Sequence, residues 1–234
     1  MSLEVLYQDD HLIAINKPHG LLVHRSSIAA DAEVFALQLL RDQLGQMVFP
    51  AHRLDRKTSG VLLFALDKHT DSALQQLFMD RQVDKTYLAI VRGYTEDKGR
   101  IDYPLRKENG TEQEALTHYE TLARAEIDLP HGKFATSRYS LVQVTPETGR
   151  MHQIRRHFAH IFHPILGDRP HGCNKQNKLW KEAFGLENMM LHAYTLDFTH
   201  PVTQQRIHIR AALQPPFEKV LQILSLSSNV PHNV

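Results

Sequence analysis

A run of six apolar residues at positions 61–66 limits how this chain folds more than any other feature of its sequence. The run is short and is bounded by Gly60 and Asp67, which is the pattern of a buried β-strand. Directly before it lies the polar stretch His52-Arg53-Leu54-Asp55-Arg56-Lys57-Thr58-Ser59. We therefore predict that Asp55 lies on a loop held by a rigid strand, where functional residues often occur. The alternative is that Asp55 only caps a turn or pairs with a neighbouring arginine.

Apolar residues elsewhere follow helical and strand spacing in an irregular order. The predicted strands are residues 3–7, 12–15, 87–92, 116–122, 138–144, 191–198 and 207–211, with a loop at 104–113. The first predicted helix spans residues 34–44 and ends at Gly45, and the second is capped by Thr70 or Asp71. Two further helices are predicted at residues 151–162, ending before Pro164, and at residues 217–226. Because strands and helices mix without regular alternation, we predict an α+β fold.

Length and composition allow one large domain or two small ones, since 42% of the 234 residues are hydrophobic. We find no Pro/Gly/Ser-rich linker and predict a single domain over residues 1–234. Cys173 is the only cysteine, which excludes an internal disulfide and metal sites built on cysteine pairs. Neither a signal peptide nor a run of the roughly 18 apolar residues that a membrane span needs is present. We expect a cytoplasmic monomer.

Positive charge is concentrated in one part of the sequence. The net charge is +1, but residues 150–181 contain seven Lys or Arg, five His and one acid. Such a segment is either a solvated surface or a binding site for a polyanion. His157, His160 and His163 recur every three residues, but no carboxylate completes a known zinc motif, so we predict no metal site.

The stretch from His52 to Gly60 resembles the active-site motif of the RluA-type pseudouridine synthases. Four further matches occur in the order of that family. They are Asn16-Lys17-Pro18 with Gly20 and Val23-His24, residues 85–91 with Gly93, residues 148–155, and residues 163–168. Three segments, His24-Arg25-Ser26, Arg155-Arg156-His157 and His171-Gly172, most resemble the members that isomerise uridine 65 of tRNA. The resemblance covers residues 12–168 and continues more weakly to about residue 210.

The resemblance implies a pseudouridine synthase fold, with a mixed, largely antiparallel central sheet flanked by helices and loops and an active site in a central cleft. It implies RNA as the substrate, most specifically tRNA. Converting uridine to pseudouridine breaks the N1–C1′ bond and joins C5 to C1′, so nothing is added overall and we expect no cofactor. Other members carry an extra N-terminal RNA-binding domain of the S4 type. We expect none here, so the catalytic domain itself would have to recognise the RNA.

The resemblance also assigns roles to residues. Asp55 is the expected nucleophile, Arg155 forms a salt bridge to it, and Tyr87 packs against the target base. A buried Asp needs such a partner, because burial raises the pKa of a carboxylate and a nearby arginine lowers it. Arg53 is expected to enter the RNA where the base has left the stack. Further substrate contacts are expected from His52, Thr58, Lys85 and Arg150, the last by holding a phosphate or by ordering the site.

Other interpretations remain open at this level. Tyr87 could be an aromatic residue of a strand core, and Arg155 could be a surface arginine on a helix. A glycosidase also cuts a glycosidic bond with an Asp, but it normally needs a paired acid. A ribosomal RNA synthase of the same family is another alternative, as is a non-catalytic RNA-binding or RNA-folding protein. The presence of Asp55, Tyr87 and Arg155 weighs against the non-catalytic protein, because binding alone needs no nucleophile.

Overall fold

The computed structural model describes residues 2–24 and 34–231, so that Arg25 and Ser26 of the motif near the N-terminus lie outside the described residues. The strands are β1 (Val5–Gln8), β2 (Leu12–Lys17), β3 (Phe49–Pro50), β4 (Ser59–Ala65), β5 (Asp84–Arg92), β6 (Lys98–Asp102), β7 (Leu105–Arg106), β8 (Glu112–Gln113), β9 (Leu116–Ile127), β10 (Ser137–Pro146), β11 (Leu191–Thr199) and β12 (Arg206–Arg210). The helices are α1 (Ala36–Leu44), α2 (Lys68–Met79), α3 (Gln153–His160), α4 (Asn174–Phe184) and α5 (Pro215–Ile223), followed by a 3-10 turn (Ser227–Asn229).

These elements form two compact units, and each unit is assembled from two separate segments of the chain. The first unit comprises Met1–Thr86 and His192–Leu213, and the second comprises Tyr87–Leu191 and Gln214–Val234. Asp55 belongs to the first unit, whereas Tyr87 and Arg155 belong to the second. The prediction of a single domain over the whole chain stays a prediction.

The first unit contains the strand that was predicted after the Asp55 loop. All seven residues of β4 are buried. Antiparallel partners of β4 are β2 and β3, β1 pairs with β2, and β11 runs parallel to β4 with β12 antiparallel beyond it. The core of this unit includes Leu12, Leu63, Leu74 and Phe198. The strands predicted at residues 3–7 and 12–15 are observed as β1 and β2, which pair as an antiparallel hairpin.

In the first unit, the C-terminal end of helix α1 and the N-terminal end of helix α2 each have an identifiable physical cause. Helix α1 ends at Gly45, which has the left-handed conformation (φ 67°) that glycine adopts without steric cost. Helix α2 begins after Asp67, whose carboxylate accepts a hydrogen bond from the backbone N–H of Thr70 at 2.8 Å. The prediction that Thr70 or Asp71 caps this helix is wrong, because Asp67 already satisfies the first exposed amide.

The second unit is built on antiparallel strands in the order β5-β10-β9-β6. A small hairpin, β7–β8, lies in the segment that was predicted to be a loop. Helix α3 packs Ile154 and Phe158 against a core that includes Val142 and Val144. Helix α4 has no counterpart among the predicted elements.

The predicted α+β class is confirmed. Among the strand pairs described above within each unit, β4–β11 is parallel and the others are antiparallel, and the α-helices occur between the strands in no regular order. No helix in the described ranges is long and apolar enough to cross a membrane.

Candidate functional site

Asp55 lies half-buried on a tight turn directly before β4. The backbone carbonyl of Asp55 accepts a hydrogen bond from the N–H of Thr58 at 3.0 Å, which closes the turn. The next residue, Arg56, is tied to the loop after β2, since its carbonyl accepts from Gly20 N at 2.8 Å and its Nε donates to Gly20 O at 3.1 Å. The Asp55 carboxylate is therefore carried by a turn that is closed by a backbone hydrogen bond and tied to the loop after β2.

The end of the motif anchors this turn to β11. The Ser59 hydroxyl lies 2.8 Å from His192 Nδ1, and His192 Nε2 lies 3.3 Å from the carbonyl oxygen of Ala211. Burial lowers the pKa of His192 to about 4, so the ring is neutral at pH 7. Because Nε2 faces a carbonyl oxygen, it carries the ring hydrogen, and Nδ1 accepts a hydrogen bond from the Ser59 hydroxyl. Gly60 has φ +107°, and a Cβ there would lie 2.1 Å from the Ala193 carbonyl oxygen. Only glycine lets the two strands approach this closely.

Lys17 is a residue of this site that sequence reasoning missed, although it belongs to one of the matching motifs. Its side chain is fully buried, and Nζ donates to the carbonyls of Pro18 (3.0 Å), Leu21 (2.8 Å) and Arg56 (3.3 Å). Burial lowers the pKa of Lys17 to about 7, while the charge of Asp55 raises it. A buried lysine, charged only below about pH 7, thus lies under the loop that carries the candidate nucleophile. The signal available in the sequence was a lysine at the end of a strand whose first four residues are apolar.

The predicted substrate contacts in the first unit fall into two groups. Thr58 is only 2% exposed, and His52 accepts a hydrogen bond from Leu63 N at 3.1 Å and stacks on Phe78. Burial and then the charge of Lys85 lower the pKa of His52 to about 4, which keeps the ring neutral. Thr58 is buried and His52 is partly exposed, and contact of either residue with the substrate stays a prediction. Arg53 is exposed, and Lys85 is half-buried with a pKa lowered by burial, so these side chains remain candidates for contact with RNA.

Tyr87 lies in β5, opposite Val144 of β10. Its ring is half-buried and packs against the apolar core of the second unit. An aromatic ring that is fixed on one side and not fully buried suits stacking against a base. Its contact with the target base stays a prediction.

Arg155 is buried in α3 and forms a two-pronged ion pair with Asp168. Nε donates to Oδ2 and Nη2 donates to Oδ1, both at 2.8 Å, and the side chains are 5% and 1% exposed. The alternative of a surface arginine on this helix is therefore wrong. The expected salt bridge from Arg155 to Asp55 stays a prediction. Asp168 belongs to a matching motif, but sequence reasoning gave it no role.

Gln153 organises the start of α3 and was also missed. Its carbonyl oxygen accepts from Thr148 Oγ1 (2.7 Å) and from Arg150 N (3.0 Å), and its amide nitrogen donates to Leu116 O and Thr117 Oγ1, both at 3.0 Å. These contacts of the amide join the segment before α3 to the beginning of β9. Arg150 Nε donates to the carbonyl of Glu114 at 3.0 Å, which favours the ordering role over the phosphate-binding role for this residue.

The three histidines at regular spacing have separate partners. His157 is buried between Thr117 Oγ1 (2.9 Å) and the Tyr103 carbonyl (3.0 Å). His160 stacks on the Tyr103 ring, and His163 Nδ1 lies 2.8 Å from the Arg92 carbonyl. Within residues 2–24 and 34–231, no three His, Cys, Asp or Glu side chains are placed to hold one metal ion.

Comparisons with known proteins agree on one family. The model of the RNA pseudouridylate synthase family matches residues 11–160. The tRNA pseudouridine synthase C of Haemophilus ducreyi is 50% identical over 228 residues, covering 93% of this chain and 94% of that protein. Its counterpart from Vibrio cholerae is 47% identical over 230 residues and 94% of each chain. Among solved structures, human RNA pseudouridylate synthase domain containing 4 superposes with a TM-score of 0.73 and 27% identity, covering 95% of this chain and 93% of that one.

Proposed function

The chain belongs to the RNA pseudouridylate synthase family, and we propose that it isomerises a specific uridine of tRNA to pseudouridine, with Asp55 as the nucleophile. The observation that carries this proposal is the candidate loop itself. A half-buried carboxylate lies on a turn that Gly20, Lys17 and β4 hold in place. The relatives that match nearly the whole chain at close to 50% identity are tRNA pseudouridine synthases.

The chemistry requires a nucleophile and a proton transfer, and it balances without a second reactant. The Asp55 carboxylate attacks the bound uridine, at C1′ or at the base, and the N1–C1′ bond breaks. The freed uracil turns so that C5 forms the new bond to C1′, and the bond between the Asp55 carboxylate and the uridine breaks, which regenerates the free carboxylate. C5 then loses its proton and N1 gains one, so the product is an isomer of the substrate. We therefore propose that neither a metal nor a cofactor takes part.

The target uridine must leave its stack before a carboxylate on a protein loop can reach it, at a cost of a few kcal/mol. We assign the Tyr87 ring to the flipped base and the exposed Arg53 guanidinium to the space that the base leaves. Guanidinium groups stack on bases and pair with phosphates, which suits that position. Arg155 is assigned as the counter-charge of the catalytic carboxylate, by resemblance to the family.

The substrate is proposed to be tRNA modified at uridine 65, by a monomer acting in the cytoplasm. The support for this position is the local similarity of three short segments and the names of the relatives. A tRNA transcript with a G–C pair in place of the pair that contains uridine 65 should then accept no modification. Pseudouridine found at another position of that transcript, or only in ribosomal RNA, would refute the assignment.

Asp55→Asn tests the catalytic role directly. The variant keeps the size and hydrogen-bonding shape of the side chain but lacks a nucleophilic carboxylate, so it should bind tRNA like the wild type and form no pseudouridine. Asp42→Asn is the matched control, since Asp42 is an exposed acid on α1 in the same unit and should leave activity unchanged. Turnover by purified Asp55→Asn, measured by mapping pseudouridine in the tRNA, would show that Asp55 is not the nucleophile.

A further inference from the structure

Phe162, directly after helix α3, combines a strained backbone with an exposed ring. Its φ is 63°, and at 87% exposure it is the most exposed large hydrophobic residue in the described ranges. Positive φ is uncommon outside glycine and is an outlier for a bulky side chain. Among the non-glycine residues with positive φ in the described part of the chain, Phe162 is the one apolar residue.

The left-handed conformation of Phe162 follows from the way in which α3 ends. Its N–H donates to the Ala159 carbonyl at 3.1 Å, and the N–H of His163 donates to the Phe158 carbonyl at 2.9 Å. These two bonds form a Schellman motif, in which the residue at this position is usually glycine. A side chain there has a steric cost, and a ring in solvent gains little from burial to offset it. The fold therefore explains the conformation but not the choice of phenylalanine.

The same end of α3 presents two further rings to solvent. His160 and Tyr103 are both exposed, and they stack with their ring centroids 3.6 Å apart and their planes at 17°. Phe162 follows His160 by two residues, so their Cα atoms are at most about 7 Å apart. We call the side chains of Phe162, His160 and Tyr103 the aromatic patch.

Guanidinium groups lie beside the aromatic patch. Arg156 is one helical turn before His160, and its Nη1 donates to the carbonyl of Arg106 at 3.0 Å. The nearby acids Asp102 and Glu112 each pair with an arginine at the surface. Such exposed pairs contribute little energy, so a phosphate can replace the acid. Rings flanked by guanidinium groups match a nucleotide, because its base stacks on aromatic faces and its phosphate pairs with arginine.

We propose that the aromatic patch is a second RNA-contact site, at which a nucleobase of the tRNA other than the target uridine stacks on the Phe162 ring. The inference rests on the proposed function, in which the substrate is tRNA. A base fits better than a second copy of this chain, because three exposed side chains supply well under the roughly 1,000 Å² that a specific protein interface needs. One base needs a single ring.

Phe162→Gly separates binding from folding, because the two should change in opposite directions. Glycine relieves the backbone strain, so the equilibrium constant for unfolding in urea should fall by about fivefold. Loss of the ring should lower the affinity for an unmodified tRNA transcript at fixed salt by about 5- to 150-fold. KM should rise with that loss, and kcat at saturating tRNA should stay the same, since the contact is equal in the ground and transition states.

Three further variants define what the ring contributes. Phe162→Trp keeps a stacking surface and should retain tRNA affinity, whereas Phe162→Leu keeps apolar surface without a ring and should bind as weakly as Phe162→Gly. The fluorescence of the new indole should be quenched by tRNA, above the signal of the buried Trp180 measured in the wild type. Phe134→Gly removes another exposed phenylalanine of the second unit, so it is the matched control and should leave affinity unchanged.

The outcomes distinguish the RNA contact from its rivals. Lower stability of Phe162→Gly would show that the ring serves the fold, and unchanged tRNA affinity, or an equal loss in Phe134→Gly, would overturn the proposal. A wild type that sediments as a dimer, with a monomeric Phe162→Gly of unchanged tRNA affinity, would assign the patch to a second copy of the chain. Absence of pseudouridine formation by the wild type, with tRNA affinity lost in Phe162→Gly, would refute the proposed function and leave the RNA contact standing.

Discussion

Lys17 offers a measurable link between the buried site and the stability of the fold. Burial lowers its pKa from the ordinary value of 10.5 to about 7, against the opposing influence of the Asp55 charge. The unfolded chain therefore holds a proton on Lys17 between about pH 7 and about pH 10.5 that the folded chain has released. Because the unfolded state binds more protons in this window, the free energy of unfolding should rise with pH there.

The size of the effect follows from the difference between the two pKa values. About 3.5 pH units correspond to about 5 kcal/mol at about 1.4 kcal/mol per unit, which is the penalty for burying the charge below about pH 7. Lys17→Met keeps the chain length and removes the titration. It also leaves the carbonyls of Pro18, Leu21 and Arg56 without this donor, at about 1–3 kcal/mol for each group that stays unsatisfied.

The assay is urea unfolding of wild type and Lys17→Met from about pH 6.5 to about pH 10.5 at constant ionic strength. The wild type should gain stability relative to the variant as pH rises, by up to about 5 kcal/mol over the window. Lys68→Met, an exposed lysine at the start of α2, is the control and should run parallel to the wild type. A difference between wild type and Lys17→Met that is constant with pH would refute the reasoning. It would mean that three carbonyl acceptors keep the ammonium charged despite its burial.

Three further predictions concern the motifs. Gly60→Ala should destabilise the fold by about 3 kcal/mol more than Gly110→Ala in urea unfolding, because both glycines have positive φ but only at Gly60 would the new Cβ collide with a backbone oxygen. Tyr87→Phe should bind tRNA like the wild type and form no pseudouridine if the hydroxyl, or a water that it holds, takes the C5 proton; full activity in Tyr87→Ala would instead make the ring a core residue only. Replacing the three α4 lysines with Gln should lower the slope of log affinity for tRNA against log salt by about one unit for each phosphate that these side chains no longer bind, and equal slopes would show a solvated surface. These lysines are Lys175, Lys178 and Lys181.

Elements with strong apolar periodicity were predictable from sequence, whereas the mostly polar helix α4 and the contacts between residues distant in sequence were not. The apolar run before Asp67 and the glycine after α1 each carry a local signal, and both appear as expected in β4 and at Gly45. Helix α4 also carries local signals, namely Gly185 at its C-terminal end and a Lys178–Glu182 pair one turn apart. It was not predicted, because the basic residues of this segment were interpreted only as charge.

The candidate site shows the same division. The positions of Asp55 and Gly60 follow from the order of loop and strand, which is local information. The burial of Lys17 depends on carbonyls that the chain supplies up to 39 residues later, and its lowered pKa depends on that burial. The partner of Arg155 depends on how the loop after α3 returns beneath the helix. No spacing rule in the sequence predicts that the Arg155 guanidinium forms its hydrogen bonds with Asp168 and not with water.

The basic segment at residues 150–181 shows why a count of charges along the sequence does not locate a nucleic-acid footprint. Five of its seven cations have partners within the protein. Arg155 pairs with Asp168, Arg150 and Arg156 donate to backbone carbonyls, and Lys178 and Lys181 pair with Glu182 and Glu187 just beyond the segment. In the described part of the chain, Arg169 and Lys175 are exposed and have neither an ion pair nor a side-chain hydrogen bond.

Exposed surface pairs contribute little energy, so phosphate groups can displace Glu182 and Glu187 at small cost. The salt dependence of tRNA binding therefore measures whether Lys178 and Lys181 exchange Glu182 and Glu187 for phosphate groups.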